Sequence, residues 1–303
     1  MLRLVLAALV GAAALVGCSS TDDDDDEGEA ESGVVYTDDA IADGVSGILA
    51  TPDLAVGRQR FGIVLLDRIG LVRLPVVNYS TFFHPEDGSA EGPLQTGQAR
   101  FMPFPEGERG FYITELDLDR AGRWSIAADI PRPDGTVETF ELGFDVAEEA
   151  AALAVGDTAP PSDSSTAADV SSLAELTTGS EPDPALYGTG IDDALAASRP
   201  FVVVFASPAF CTNEVCGPQV EVLSELAAAH PDAAAYVHVD IYENPDEIDG
   251  DLDRAIRNPI LEEWGVTSDE WTFVVDADGR VAARFESFAT YDEVEAALLA
   301  VIS

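Results

Sequence analysis

Cys211 and Cys216 are the residues of this 303-residue chain best suited to chemistry. They lie in the stretch FVVVFASPAFCTNEVCGPQVEV, residues 201–222. Two thiols five positions apart can cycle between dithiol and disulfide, or form a static staple, and both readings stand at this point. Five helical residues advance about 7.5 Å along the axis, too far for a disulfide between two undisturbed helical positions. Pro208 and the small residues around it do not propagate a helix, so Cys211 is expected in a loop and Cys216 on the helix that follows. A thiol at a helix start has its thiolate favoured by unpaired N–H groups and the positive end of the helix dipole. Cys216 has that setting and Cys211 has the loop exposure, so which of the two attacks stays open.

Positioning these thiols requires a sheet and helices, and the surrounding pattern supplies them. Phe201–Ala206 is a continuous apolar run, as a central strand covered on both faces requires. Glu214–Ala229 reads as a helix with Val215, Val220, Leu223, Leu226 and Ala227 near one face. Ala234–Ile241 reads as a strand, Arg254–Trp264 as a helix, and Thr272–Val275 with Arg280–Phe285 as a hairpin about Asp278-Gly279. Tyr291–Ile302 closes the chain as a helix, and Ile191–Ser198 forms a short one ahead of the central strand.

Residues 45–147 have a different texture. Tyr112, Thr114, Leu116 and Leu118 alternate at period two, as do Trp124, Ile126, Ala128 and Ile130, and Pro133-Asp134-Gly135 punctuates them with a turn. About seven such strands without helical period predict an antiparallel β-sandwich. It holds no cysteine and no catalytic constellation: His84 reads as a loop residue, and Phe101, Phe104, Phe111 and Tyr112 read as core aromatics. Residues 147–154 have a weak helical tendency, and 148–190 read as a Pro/Ser/Thr-rich linker.

The order β-α-β-α-β-β-α over 191–303 is similar to that of the thioredoxin fold. Cys216-Gly217-Pro218 resembles the first three residues of the thioredoxin CGPC motif, with Gln219 in place of the second cysteine. Cys211-Thr212-Asn213-Glu214-Val215-Cys216 resembles the CTxEAC segment of bacterioferritin-comigratory-protein-type peroxiredoxins. That resemblance implies a peroxidatic Cys211 and a resolving Cys216. Trp271–Asp276 with Gly279 is similar to the hairpin of that family, and VGDTAP at 155–160 resembles its lead-in. Pro208 stands where the family has threonine, and Glu270 stands where it has arginine, which puts a carboxylate beside the cysteines. Sco-type copper chaperones pair a CxxxC motif with a distant histidine; here the spacing is one longer, and His238 sits within a strand. His230 reads as a helix C-cap. The 45–147 segment resembles the immunoglobulin-like modules of bacterial envelope lipoproteins.

The N-terminus carries an address. Met1-Leu2-Arg3, the apolar run Leu4–Val16 and Leu15-Val16-Gly17-Cys18 resemble a bacterial lipoprotein leader and lipobox. The resemblance implies removal of 1–17, lipidation of Cys18, and an extracytoplasmic protein lipid-anchored to the bacterial cell membrane. Residues 18–44 then form an acidic tether, too charged to fold. With Cys18 committed, Cys211 and Cys216 remain in an oxidising compartment, where a disulfide between them is the default. Fifty-seven acidic against fifteen basic residues, a net charge of −42, exclude nucleic-acid binding. No cofactor motif and no metal-ligand set stand out; the expected partners are the membrane, through Cys18, and a protein thiol or disulfide. The fold expectation is therefore multidomain: an N-terminal all-β immunoglobulin-like sandwich and a C-terminal α/β thioredoxin-like domain.

Overall fold

The computed structural model describes residues 44–104, 107, 109–211 and 215–302. Cys18, the leader 1–17 and residues 18–43 of the tether lie outside the described residues, as do Thr212, Asn213 and Glu214.

The N-terminal half is built from β1 (Ser46–Leu49), β2 (Gly57–Asp67), β3 (Gly70–Leu71), β4 (Val76–His84), β5 (Glu91–Pro103), β6 (Gly110–Leu118), β7 (Gly122–Pro131) and β8 (Val137–Val146). The alternation read from the sequence holds. Leu116, Leu118, Trp124, Ile126, Ala128 and Ile130 are all buried in one core with Phe61, Leu65 and Phe144. His84 closes strand β4 rather than sitting in a loop, and its Nε2 lies 2.8 Å from Ser125 Oγ. The expected immunoglobulin-like pair of sheets is replaced by a single eight-stranded antiparallel path, β1-β2-β6-β5-β4-β7-β8, with β3 on β2. The reason lies in the 13-residue β5, whose residues Glu91 to Arg100 pair with β4 while Arg100 to Pro103 pair with β6. One strand that changes partners along its length joins what would otherwise be two sheets. The path folds back on itself. Val45 N donates to Glu138 Oε1 at 2.8 Å, linking the start of β1 to β8, and the Phe61 and Phe144 rings meet 5.1 Å apart across the interior.

The second sheet runs β10-β9-β11-β12, with β9 (Phe201–Ala206) parallel to β10 (Ala235–Val239) and antiparallel to β11 (Glu270–Val275), which pairs antiparallel with β12 (Val281–Glu286). Every residue of β9 is buried, which explains its unbroken apolar run. Val202, Val204, Ala206 and Val274 share a core with helices α2 (Cys216–Ala229) and α5 (Tyr291–Ile302); Phe201, Val203, Phe205 and Phe273 pack on the other side with α1 (Ile191–Ala196) and Trp264. The helix expected over Arg254–Trp264 is largely absent. A 3-10 turn at Leu252–Arg254 follows the one-turn α3 (Pro245–Ile248), and α4 covers only Ile260–Glu263. Pro259 explains this: it lacks an N–H and disfavours helical geometry at Asn258, whose Oδ1 instead accepts from Ile260 N at 3.1 Å. Residues 147–154 form bends, with a bridge from Ala147 to Ala55, rather than helix.

Residues 148–190 are laid along the second sheet. Ala152 and Ala159 enter its core, Thr158 bridges to Arg280, and Leu186 and Tyr187 are buried. The serines in this segment become partners: Trp264 Nε1 donates to Ser162 Oγ at 3.1 Å, and Ser164 Oγ accepts from Ile191 N at 2.8 Å.

The two sheets also touch. Arg284 Nη2 lies 2.8 Å from Asp53 Oδ2, and Asp53 N donates to Glu286 Oε2 at 2.8 Å. Phe111, on the face of β6 turned away from the first core, is fully buried by belonging to the core around α2 and α5.

Candidate functional site

Cys211 and Cys216 form a disulfide with Cα atoms 5.9 Å apart. Cys211 lies in the loop after β9 and Cys216 is the first residue of α2, the arrangement the spacing predicts. Cys216 is 0% exposed, whereas Cys211 is partly exposed. Cys216 N–H, the first of the helix, donates to Cys211 Sγ at 3.2 Å, so a thiolate on Cys211 would meet the positive end of α2.

The loop carrying Cys211 is held from behind by residues that the sequence did not single out. Thr178 donates through N and Oγ1 to Asp240 Oδ2 at 2.8 and 2.9 Å, and its Oγ1 receives Ala209 N at 3.2 Å and lies 3.0 Å from Ser207 Oγ. Asp240 ends the strand motif Tyr236-Val237-His238-Val239-Asp240, a signal that could have been noticed; nothing local marks Thr178. His238 is buried, with Nε2 at 3.0 Å from Ala206 O and Nδ1 at 2.7 Å from Tyr187 Oη. The carbonyl requires the proton on Nε2, so Tyr187 donates to Nδ1. Burial holds the His238 pKa below its ordinary value, and both ring nitrogens are engaged, as a core role requires. His230 caps the end of α2 with its N–H donating to Leu226 O, and its ring pairs with Glu295 at 2.7 Å. Among the described residues no group of three or more His, Cys, Asp or Glu side chains is placed to hold a metal.

Strand β11 enters beneath the disulfide. Cys216 Sγ lies 3.5 Å from the carbonyl oxygen of Asp269, and Glu270 follows at the first position of the strand. Glu270 pairs in register with Ala206 and projects, like Thr272 and Val274, to the α2 side of the sheet. It is 1% exposed. Neither carboxyl oxygen has a hydrogen-bond partner among the described residues, and the same holds for Thr272 Oγ1 and Gln219 Nε2. Gln219 stands where a thioredoxin motif would carry its second cysteine, and its Oε1 accepts from Ala289 N at 2.8 Å. Burial pushes the Glu270 pKa up to about 8; Arg60 acts against that shift and Asp269 adds to it. At neutral pH Glu270 is therefore mostly an uncharged acid. The negative charge that the sequence placed beside the cysteines is removed by desolvation.

The first sheet completes the surroundings. Arg60 on β2 reaches the loop between β12 and α5, where Nη2 donates to Phe288 O at 2.7 Å, Nη1 to Glu286 O at 3.0 Å and Nε to Glu293 Oε1 at 3.0 Å. Its guanidinium lies over the rings of Phe111 and Phe285, 5.6 and 5.7 Å from their centroids. Phe104 stacks edge-on to Phe288 at 5.3 Å. Glu286, pushed up to about 7 chiefly by burial, accepts from Ser268 Oγ at 2.9 Å as well as from Asp53 N. The first sheet thus contributes Phe111 and Phe104 to the same core that contains Cys216.

No family model and no curated protein matches the chain. Among solved structures it is similar over part of its length to a thiol:disulfide interchange protein of the thioredoxin family from Chlorobium tepidum, at 13% identity, covering 35% of this chain and 81% of that one with a TM-score of 0.28. It is also similar to the exposed lipoprotein thioredoxin of Streptococcus pneumoniae, at 16% identity, covering 37% of this chain and 96% of that one with a TM-score of 0.27.

Proposed function

We propose that this chain is an extracytoplasmic thiol–disulfide exchange protein, held at the bacterial membrane by a lipid on Cys18 and working through Cys211 and Cys216. The observation that carries the reading is the asymmetry of the disulfide: a partly exposed Cys211 bonded to a fully buried Cys216 at the start of a helix. A partner sulfur can approach only Cys211. Cys211 is then the residue that forms the mixed disulfide, and Cys216 resolves it. The N-terminal sheet serves as a docking and spacing module that leaves the Cys211 side open. The partner is a protein thiol or disulfide.

The same buried Cys216 would suit a structural staple in a non-enzymatic envelope protein, and the reduction potential separates the two. The full chain is equilibrated in glutathione and dithiothreitol redox buffers and its free thiols counted by alkylation and mass spectrometry. A potential above about −300 mV supports exchange; a value below it makes the disulfide a staple. Peroxidase chemistry requires peroxide to oxidise the reduced chain in a Cys211-dependent manner. Incorporation of labelled fatty acid that disappears in Cys18→Ser supports the anchor; label that persists removes it.

A further inference from the structure

Exchange through this disulfide requires Cys211 to stand within bonding reach of Cys216 while no bond joins the two sulfurs. A disulfide closes only when its Cα atoms are about 4.4–6.8 Å apart. Cys216 is fixed as the first residue of α2, but Cys211 lies in a loop. The residues between β9 and Cys211 must therefore hold their shape in the dithiol, and the groups that hold them come from a distant part of the chain.

We propose that Thr178 is a positioning residue of the exchange reading on which this inference rests: it clamps residues 207–209 so that Cys211 stays poised beside Cys216 in the dithiol. Its hydroxyl is wholly committed to that task. A hydroxyl has one hydrogen to donate and two lone pairs to accept with. The hydrogen goes to Asp240 Oδ2 at 2.9 Å, so the lone pairs take Ala209 N–H at 3.2 Å and the Ser207 hydroxyl at 3.0 Å. The anchor behind it is rigid. Asp240 is 2% exposed; its Oδ2 also receives Thr178 N at 2.8 Å, and its Oδ1 receives Tyr242 N at 3.1 Å. Ser207 is 0% exposed, so its hydroxyl has no solvent to turn to if Thr178 lets go. The neighbouring residues are tied by the same segment. Ala206 O receives His238 Nε2 at 3.0 Å, Tyr187 Oη donates to His238 Nδ1 at 2.7 Å, and Thr177 hydrogen-bonds to Tyr187 in turn. A turn in which Phe210 N donates to Ser207 O at 3.2 Å then leads to Cys211.

The clamp acts on the second half of the exchange. Cys211 Sγ bonds to one sulfur of a partner disulfide as the partner S–S bond breaks, and Cys216 Sγ then bonds to Cys211 Sγ as the mixed disulfide breaks. Two electrons and the two thiol protons pass to the partner, which leaves as two thiols. Sulfurs held close form that last bond at a high effective concentration. With the loop released, the dithiol gains conformational freedom that disulfide formation must remove again. The effective concentration falls, and the disulfide becomes easier to reduce.

The test equilibrates the full chain, as wild type, Thr178→Val and Thr178→Ser, with mixtures of reduced and oxidised glutathione. After acid quench and alkylation, mass spectrometry of the peptides carrying Cys211 and Cys216 gives the fraction oxidised. Valine keeps the shape of the side chain without its hydroxyl, and serine keeps the hydroxyl. Thr178→Val should lower the equilibrium constant for disulfide formation about tenfold, which makes the potential about 30 mV less reducing. Tenfold is about 1.4 kcal/mol, the scale of one or two net hydrogen bonds. Thr178→Ser should stay within about twofold of wild type. A residue that only stabilised the fold would lower Tm and leave the potential unmoved, so a Thr178→Val constant within about twofold of wild type overturns the clamp alone. Failure of wild type to exchange with glutathione overturns the exchange reading itself, and this inference with it. Should Thr178→Val not fold, hydrogen exchange of the Ala209 amide in wild type, followed by NMR, decides. Protection in both the oxidised and the reduced chain supports the clamp, and protection that is lost on reduction overturns it.

Discussion

Replacing Glu270 by glutamine should flatten the pH dependence of the folded chain's stability. The wild-type acid titrates at about 8 when folded and near 4.5 when exposed. The folded state therefore binds more protons than the unfolded state between those values, and stability falls as pH rises through that window. Full below pH 4.5 and gone above about 8, this contribution amounts to about 5 kcal/mol at about 1.36 kcal/mol per pH unit. Glu286, raised to about 7, acts in the same direction and removes about 3 kcal/mol more by neutral pH. Against a typical total of about 5–15 kcal/mol, these are large fractions. Glutamine keeps the shape of the side chain and abolishes its titration, so the variant should retain only the Glu286 part of the slope. Urea unfolding of the oxidised chain from pH 4.5 to 8.5, followed by fluorescence of the fully buried Trp264 and Trp271, measures this directly. The curves of wild type and variant should converge at low pH and separate towards pH 8.5, with the variant the more stable. Parallel curves would refute the claim that Glu270 is protonated by burial.

Arg60→Ala removes the bonds to Glu293, Phe288 O and Glu286 O and should cost about 2–4 kcal/mol in denaturant unfolding, because the partly buried Glu293 loses its cation. Reducing the disulfide reopens a short loop and should cost only about 2 kcal/mol, a fall in Tm of about 2–4 °C by calorimetry. Tyr187→Phe strips His238 Nδ1 of its donor inside the core and should destabilise by about 1–3 kcal/mol; a loss below about 0.5 kcal/mol would show that this bond is not needed.

The parts of the fold that were legible in the sequence rest on short-range patterns. Period-two alternation from Tyr112 to Leu118 and from Trp124 to Ile130 marked strands because successive side chains face opposite ways. Cys211 and Cys216 cannot both lie on one undisturbed helix because a disulfide has limited reach. The apolar residues of Arg254–Trp264 do not form one helix because Pro259 interrupts it. Residues 148–190 looked like a linker because their packing follows neither helical nor strand period. Leu186 and Tyr187 are buried by one-off contacts with a sheet whose nearest strand, β9, starts fourteen residues further along at Phe201.

The site divides along the same line. Sequence by itself determined that a buried strand, a loop thiol and a helix-borne thiol stand in succession, since each is a property of residues within twenty positions. Only the tertiary structure decided what surrounds them. Phe111 is an interface residue rather than sandwich core, Arg60 from β2 reaches over the β12–α5 loop, and Glu270 is an acid rather than an anion. The last of these is a matter of desolvation: the charge of a carboxyl depends on whether water can reach it, and that is settled by segments more than two hundred residues apart folding against one another.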